Sequence, residues 1–157
     1  MKYIIFGVLF LFRGLLVVGN SPINFQNDFY KALSSESLEN INAQLSAIKY
    51  SAMADKEAYE GALLMKKAGL IKGAKEKLDL FKKGRSKLET SISKNNDNIE
   101  YYFLRLIIQE NAPKMLKYRG NIGTDSQLIR EKFKNLSASL QQVILDYSKR
   151  SKALKLS

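Results

Sequence analysis

Whatever chemistry this chain does, it does without the usual catalytic side chains. Of its 157 residues none is His and none is Cys. That excludes imidazole bases, Ser-His-Asp triads, histidine metal ligands, thiolate zinc and iron–sulfur sites, cysteine nucleophiles, disulfides and a lipid-modified N-terminal cysteine. Carboxylates, lysines, tyrosines and serines remain. Glu57 and Glu60 are three residues apart, as are Glu36 and Glu39; on a helix each pair shares a face. Such pairs can perform acid–base chemistry of the glycosidase kind or hold a divalent cation. They are more often solvated surface pairs. The expectation is therefore no catalysis, no metal and no cofactor, with a carboxylate-dependent hydrolase as a remote alternative.

The cations are the stronger signal. The chain carries a formal charge of +11, and residues 66–87 hold nine basic side chains against only Glu76 and Asp79, a local +7. Lys75, Lys82, Lys83, Arg85 and Lys87 are the candidates for an anionic surface, lipid headgroup or acidic glycan. Phe81 is the one aromatic in this stretch and falls on its apolar face, so the aromatic interleaving of nucleic-acid readers is missing. The bland alternative is the solvated face of a basic helix.

Four further residues are candidates for ligand binding: Tyr101, Arg105, Lys117 and Arg119. Arg105 is the lone charge of an apolar segment. It is either an anion clamp or an internally paired arginine, with Glu60 or Glu89 as partner. Tyr101 and Tyr102 point to different sides of a helix, one toward the core and the other free to line a concave face. Lys117 and Arg119 precede Gly120, Gly123 and Thr124, a loop and helix start that can offer backbone N–H groups to an anion. The run Gly120–Gly123 is nevertheless far from a phosphate-loop motif, and an ordinary turn followed by a capped helix explains it.

The N-terminus reads as an export segment. Lys2 precedes the apolar run Tyr3–Phe12, and Val17, Val18 and Gly19 offer a cleavage point after Gly19. Arg13 interrupts the stretch and leaves it too short for a stable span. A cleaved signal peptide over 1–19 is the first reading, an uncleaved N-terminal anchor the second. The expected location is periplasmic or secreted. Without Lys2 and Arg13 the charge is +9.

Residues 20–157 read as one all-α domain of about six or seven helices. Leu38, Ile41, Leu45 and Ile48 recur at helical spacing. Further helices are predicted over about 54–69, 74–93, 99–111 and 125–153, the last divided near Asn135 and Ser137. Leu78, Phe81, Leu88 and Ile92 form one face of the 74–93 helix. Helix 99–111 is apolar nearly all round, the composition of a central buried helix. Thr124 and Gln127 have capping-box spacing.

Gly84, Leu88, Ser91, Asn96, Asn98 and Tyr102 follow the small–large–small spacing that resembles a junction between tetratricopeptide-type repeats. Asn96 stands where that pattern has Pro, and Leu106 where it has a small residue. The resemblance implies irregular antiparallel hairpins, not a regular array. Residues 58–69 and 99–114 also look like segments of uncharacterised exported bacterial helical proteins, which brings no activity with it. The resulting expectation is an exported, non-catalytic, tetratricopeptide-like module that binds a protein or peptide, without nucleic acid. The alternative is a basic envelope-associated protein that binds anionic lipid or glycan through 66–87.

Overall fold

Side-chain caps and two breaks in the backbone set the helix boundaries. The computed structural model describes residues 22–156, so the expected leader and its cleavage point lie outside the described residues. Helix α1 spans Pro22–Ser34 and α2 spans Leu38–Tyr50. Ser37 caps α2 by accepting from the Asn40 backbone N–H, one of the donors a helix start leaves free. Helix α3 covers Lys56–Leu70 and α4 covers Ala74–Lys94. Between them Gly73 sits at φ +93°, a conformation that a Cβ makes strained. Helix α5, Ile99–Asn111, opens on Asn98, whose side chain accepts from the Glu100 N–H, and stops before Pro113. A short 3-10 turn follows at Lys114–Leu116. Then come α6, Ile122–Lys132, a second 3-10 turn, Phe133–Asn135, and α7, Ala138–Ser148, capped by Ser137.

The described residues thus form an all-helical fold of seven α-helices with no strand. The break near Asn135 and Ser137 falls where the sequence placed it. The capping box does not: α6 begins at Ile122, so Thr124 lies inside its first turn and its hydroxyl donates to the Asn121 carbonyl. The start of α6 is held instead by the buried Gln109, whose Oε1 accepts from the Asn121 N–H at 3.2 Å.

Helix α5 is the centre. Phe103, Leu104 and Leu106 are fully buried in it, and each such side chain contributes on the order of 1.5–3 kcal/mol by leaving water. An aromatic cluster joins α1 to it: Phe29 meets Tyr59 edge-on at 4.9 Å, and Tyr30 lies 5.8 Å from Phe103. Phe103 in turn meets Tyr147 of α7 at 5.5 Å.

Helices α3 and α4 form the tightest pair. They cross where Gly61 faces Gly84 and Leu88 with no room for a side chain. Both helices run on past this crossing to the turn at Gly73. Ala74 to Asp79 are all exposed, so the end of the hairpin projects beyond the body. This explains why Leu78, on the apolar stripe in sequence, is 40% exposed. The core-facing stripe outlasts the core.

Candidate functional site

The projecting hairpin carries the cations, and their spacing sorts them. Lys75, Leu78, Lys82 and Arg85 recur at intervals of three, four and three residues along α4, one continuous stripe of an α-helix. All four are exposed, and Asp79, four residues after Lys75 and three before Lys82, borders the stripe on one side. Glu76, Asp79 and Lys83 form a second stripe with mixed charge. Lys83 therefore leaves the candidate face.

Lys87 leaves it too. Its ammonium bonds Glu57 and lies 3.1 Å from Glu60, which pulls it into the α3–α4 seam. Burial opposes its charge, and the two carboxylates more than offset that and hold its pKa up. The same contact answers the carboxylate pair: Glu57 and Glu60 both turn to Lys87. Glu36 bonds Lys66 across to α3 at 2.6 Å. No cluster of three or more metal-type ligands occurs among the described residues.

A second segment completes the basic stripe. The 3-10 turn ends at Lys117 in the left-handed region, φ 49°. That conformation is uncommon for a residue with a Cβ, and it is followed by Tyr118, which is buried. The Tyr118 ring meets Phe81 edge-on at 5.7 Å, and the Arg85 guanidinium carbon stands 4.7 Å over it. Tyr118 thereby fastens the 113–119 loop to α4 beside the stripe. Its neighbours Lys114, Lys117 and Arg119 are exposed, and Met115 is 85% exposed. The loop with Lys114, Met115, Lys117 and Arg119 is thus held against the helix that carries Lys75, Leu78, Lys82 and Arg85.

The buried side of this contact is an ion network. The Tyr118 hydroxyl donates to Glu89 Oε1 at 2.5 Å. Glu89 Oε2 accepts from Arg105 at 2.8 Å, and Arg105 makes two further bonds of 2.8 Å to Asp125 of α6. Asp125 is 2% exposed and Arg105 8%. Burial disfavours the guanidinium charge, and Asp125 and Glu89 more than restore it, so Arg105 stays protonated. Burial pushes the Tyr118 hydroxyl up, and Glu89 adds to it. Arg105 is thus the internally paired arginine, with Glu89 as one partner and Asp125 as a second that its sequence distance concealed.

Tyr101 lies elsewhere again. It is 1% exposed and lines a cavity of about 320 Å³ with Asp55, Ser91 and Lys94 at the far end of the α3–α4 hairpin. Tyr102 is the more open of the two, and its hydroxyl donates to the Asn96 carbonyl at 2.9 Å. A third feature is a groove of about 320 Å³ between α1 and α7, floored by Phe103 and Ile107 of α5, with Lys31, Asp146 and Arg150 among its lining residues.

The structure therefore joins two groups that the sequence kept apart, Lys75, Lys82 and Arg85 with Lys117 and Arg119. It separates both from Tyr101 and leaves Arg105 buried beneath them, paired with Glu89 and Asp125. Sequence reasoning missed Tyr118 and Met115. A tyrosine flanked directly by two cations was the signal available. No family model, curated protein or solved structure matches the chain.

Proposed function

We propose that this chain is a non-catalytic helical module that acts outside the cytoplasm and binds an anionic partner through the face built by α4 and the 113–119 loop. The observation that carries the reading is the Phe81–Tyr118–Arg85 contact. It brings the loop of Lys114, Lys117 and Arg119 against the helix that carries Lys75, Lys82 and Arg85, six cations against Glu76 and Asp79, while the carboxylate at the contact, Glu89, is already engaged by Arg105 and Tyr118. Such an arrangement raises the local concentration of anions and is screened by salt. The engagement of Glu57, Glu60 and Glu36 by lysines supports a binding role over a carboxylate-dependent one.

The hairpins are tetratricopeptide-like in this reading. Gly84 meets Gly61 of the preceding helix, as the small positions of such repeats do. Both helices continue past that crossing before the turn. A second reading, a peptide segment held by the groove between α1 and α7, is favoured by its apolar floor and by Lys31 and Arg150 at its sides.

Retention on an immobilised sulfated polymer tests the first reading. Changing Lys75, Lys82, Lys117 and Arg119 to Gln lowers the eluting salt far more than changing Lys31, Lys49, Lys56 and Lys94, which removes the same charge elsewhere. Equal shifts would refute a localised face.

A further inference from the structure

We infer that the anionic partner is a lipid bilayer surface, with Leu78 and Met115 entering the headgroup region while the surrounding cations hold acidic headgroups. This rests on the proposed basic face and names its partner. Five large apolar side chains are exposed among the described residues; Leu78, at 40%, belongs to the basic stripe of α4, and Met115, at 85%, to the loop that Tyr118 fastens to that helix. A soluble polyanion offers neither of them an apolar phase. A bilayer interface offers both a place while their cationic neighbours stay at the headgroups.

The shape agrees. From Lys72 to Asp79 the chain is exposed throughout, so a flat surface can reach Leu78 without meeting the body of the domain. Leu78 has Lys75 one turn before it and Lys82 one turn after it. A basic stripe with an apolar centre is the pattern of a helix lying in an interface. Nothing in it spans: no helix among the described residues is long and apolar enough to cross a membrane.

The face also lacks what other polyanions ask for. Phe81 and Tyr118 are buried against each other, so neither ring is free to stack on a base or a sugar. Four of the six cations, Lys75, Lys82, Lys114 and Lys117, are point charges on flexible stems without the planar fork suited to bidentate recognition, and the Arg85 guanidinium stands over the Tyr118 ring. Each cation near an acidic bilayer multiplies partitioning about fivefold.

The test uses the full chain with phosphatidylcholine vesicles, with and without phosphatidylglycerol. The apolar segment 1–19 is common to all variants, so differences between variants are read. With no native cysteine, Leu78→Cys and Lys94→Cys each accept one environment-sensitive dye. The expected result is a blue-shifted, brighter dye at position 78 and an unchanged one at 94, on acidic vesicles only. Leu78→Ser with Met115→Ser lowers partitioning into those vesicles about tenfold or more, and leaves retention on the sulfated polymer unchanged. Two results overturn the bilayer inference directly: an identical response at 78 and 94, or partitioning insensitive to the double serine change. Retention on the polymer without vesicle binding rejects the lipid and leaves the basic face standing, with a glycan as its partner. Loss of both rejects the face as well.

Discussion

Gly61 and Gly84 occupy each other's side-chain space. A Cβ on Gly61 would lie 2.7 Å from the Gly84 carbonyl oxygen, and one on Gly84 would lie 2.5 Å from the Gly61 carbonyl oxygen. The obstacles are backbone atoms, which cannot rotate away as a side-chain end can. Either glycine to Ala should therefore push α3 from α4 and cost about 3 kcal/mol, the upper range for overpacking. Gly69 stands later on the same α3, and a methyl group added there would meet nothing within 4 Å. There Gly→Ala should stabilise by about 0.5–1 kcal/mol through helix propensity alone. Urea unfolding of the three variants measures both signs. A neutral Gly84→Ala would mean that the helices do not cross so closely.

Arg105 is held by an acid twenty residues away in sequence. Removing it leaves Asp125 at 2% exposure without its cation. Arg105→Ala should cost about 3–5 kcal/mol, the range for a broken buried pair. Replacing both partners by apolar residues of similar size, Arg105→Met with Asp125→Leu, should recover most of that loss, since the one carboxylate left without its cation, Glu89, reaches solvent and keeps the Tyr118 hydroxyl as a donor. Thermal and urea unfolding decide. A double variant as weak as the single one would show that the pair itself, not the avoidance of a lone charge, stabilises the fold.

These two relationships mark the boundary of what sequence reading reached. The helical class, the central α5 and the break before α7 follow from the spacing of apolar residues and from Ser137 and Pro113, all local signals. Glu89 was legible as a partner of Arg105, and its second partner was beyond reach because Asp125 belongs to α6, and only the packing of α6 on α5 brings them together. Leu78 is instructive in another way. Its register was read correctly, and its environment was not, because periodicity reports the face of a helix and not where the rest of the domain ends. Lys83 and Lys87 left the basic face for similar reasons. One shares its stripe with Glu76 and Asp79, and the other is claimed by carboxylates of a neighbouring helix. The cationic face needed Tyr118, whose contact with Phe81 has no counterpart in local spacing.

The C-terminal segment is tied down by one carboxylate. Glu110 accepts from the Ser151 hydroxyl at 2.6 Å, the Tyr147 hydroxyl at 2.7 Å and the backbone N–H groups of Lys152 and Ala153 at 2.9 and 3.0 Å. Burial pushes its pKa up, and these four donors outweigh burial and hold it below the usual value. A depressed carboxylate stabilises the folded state above its ordinary pKa, about 4.3, and loses that contribution as pH falls through the lower folded value. Acidification through that window should release residues 151–156 before the core opens. Amide exchange of Ala153 and Leu154 against pH follows it. Glu110→Gln should make that exchange fast at neutral pH and flatten its dependence at acid pH. Exchange that is equally slow in both proteins would contradict this anchoring.

Helix α1 answers to the opposite end of the pH scale. Glu100 of α5 accepts from Gln26 at 3.2 Å, Tyr30 at 2.8 Å and Tyr59 at 3.0 Å, so one carboxylate joins α1 and α3 to the central helix. Burial pushes both tyrosine hydroxyls above their ordinary value, and the Glu100 charge pushes them further. Groups raised in this way stabilise the fold below the unfolded tyrosine value, about 10, and that stability is lost as pH rises past it. Alkaline titration followed by tyrosinate absorbance should therefore show late, cooperative ionisation that coincides with detachment of α1. Glu100→Gln removes the like charge but not the burial. The ionisation of Tyr30 and Tyr59 should move down and still stay above that of a free tyrosine. The same change replaces charged hydrogen bonds by neutral ones and should cost about 2 kcal/mol at neutral pH. Exchange of the α1 amides reports the weakened docking. If the tyrosines of Glu100→Gln titrate as in the parent chain, Glu100 does not face them. If they titrate as free tyrosines, α1 has left the core.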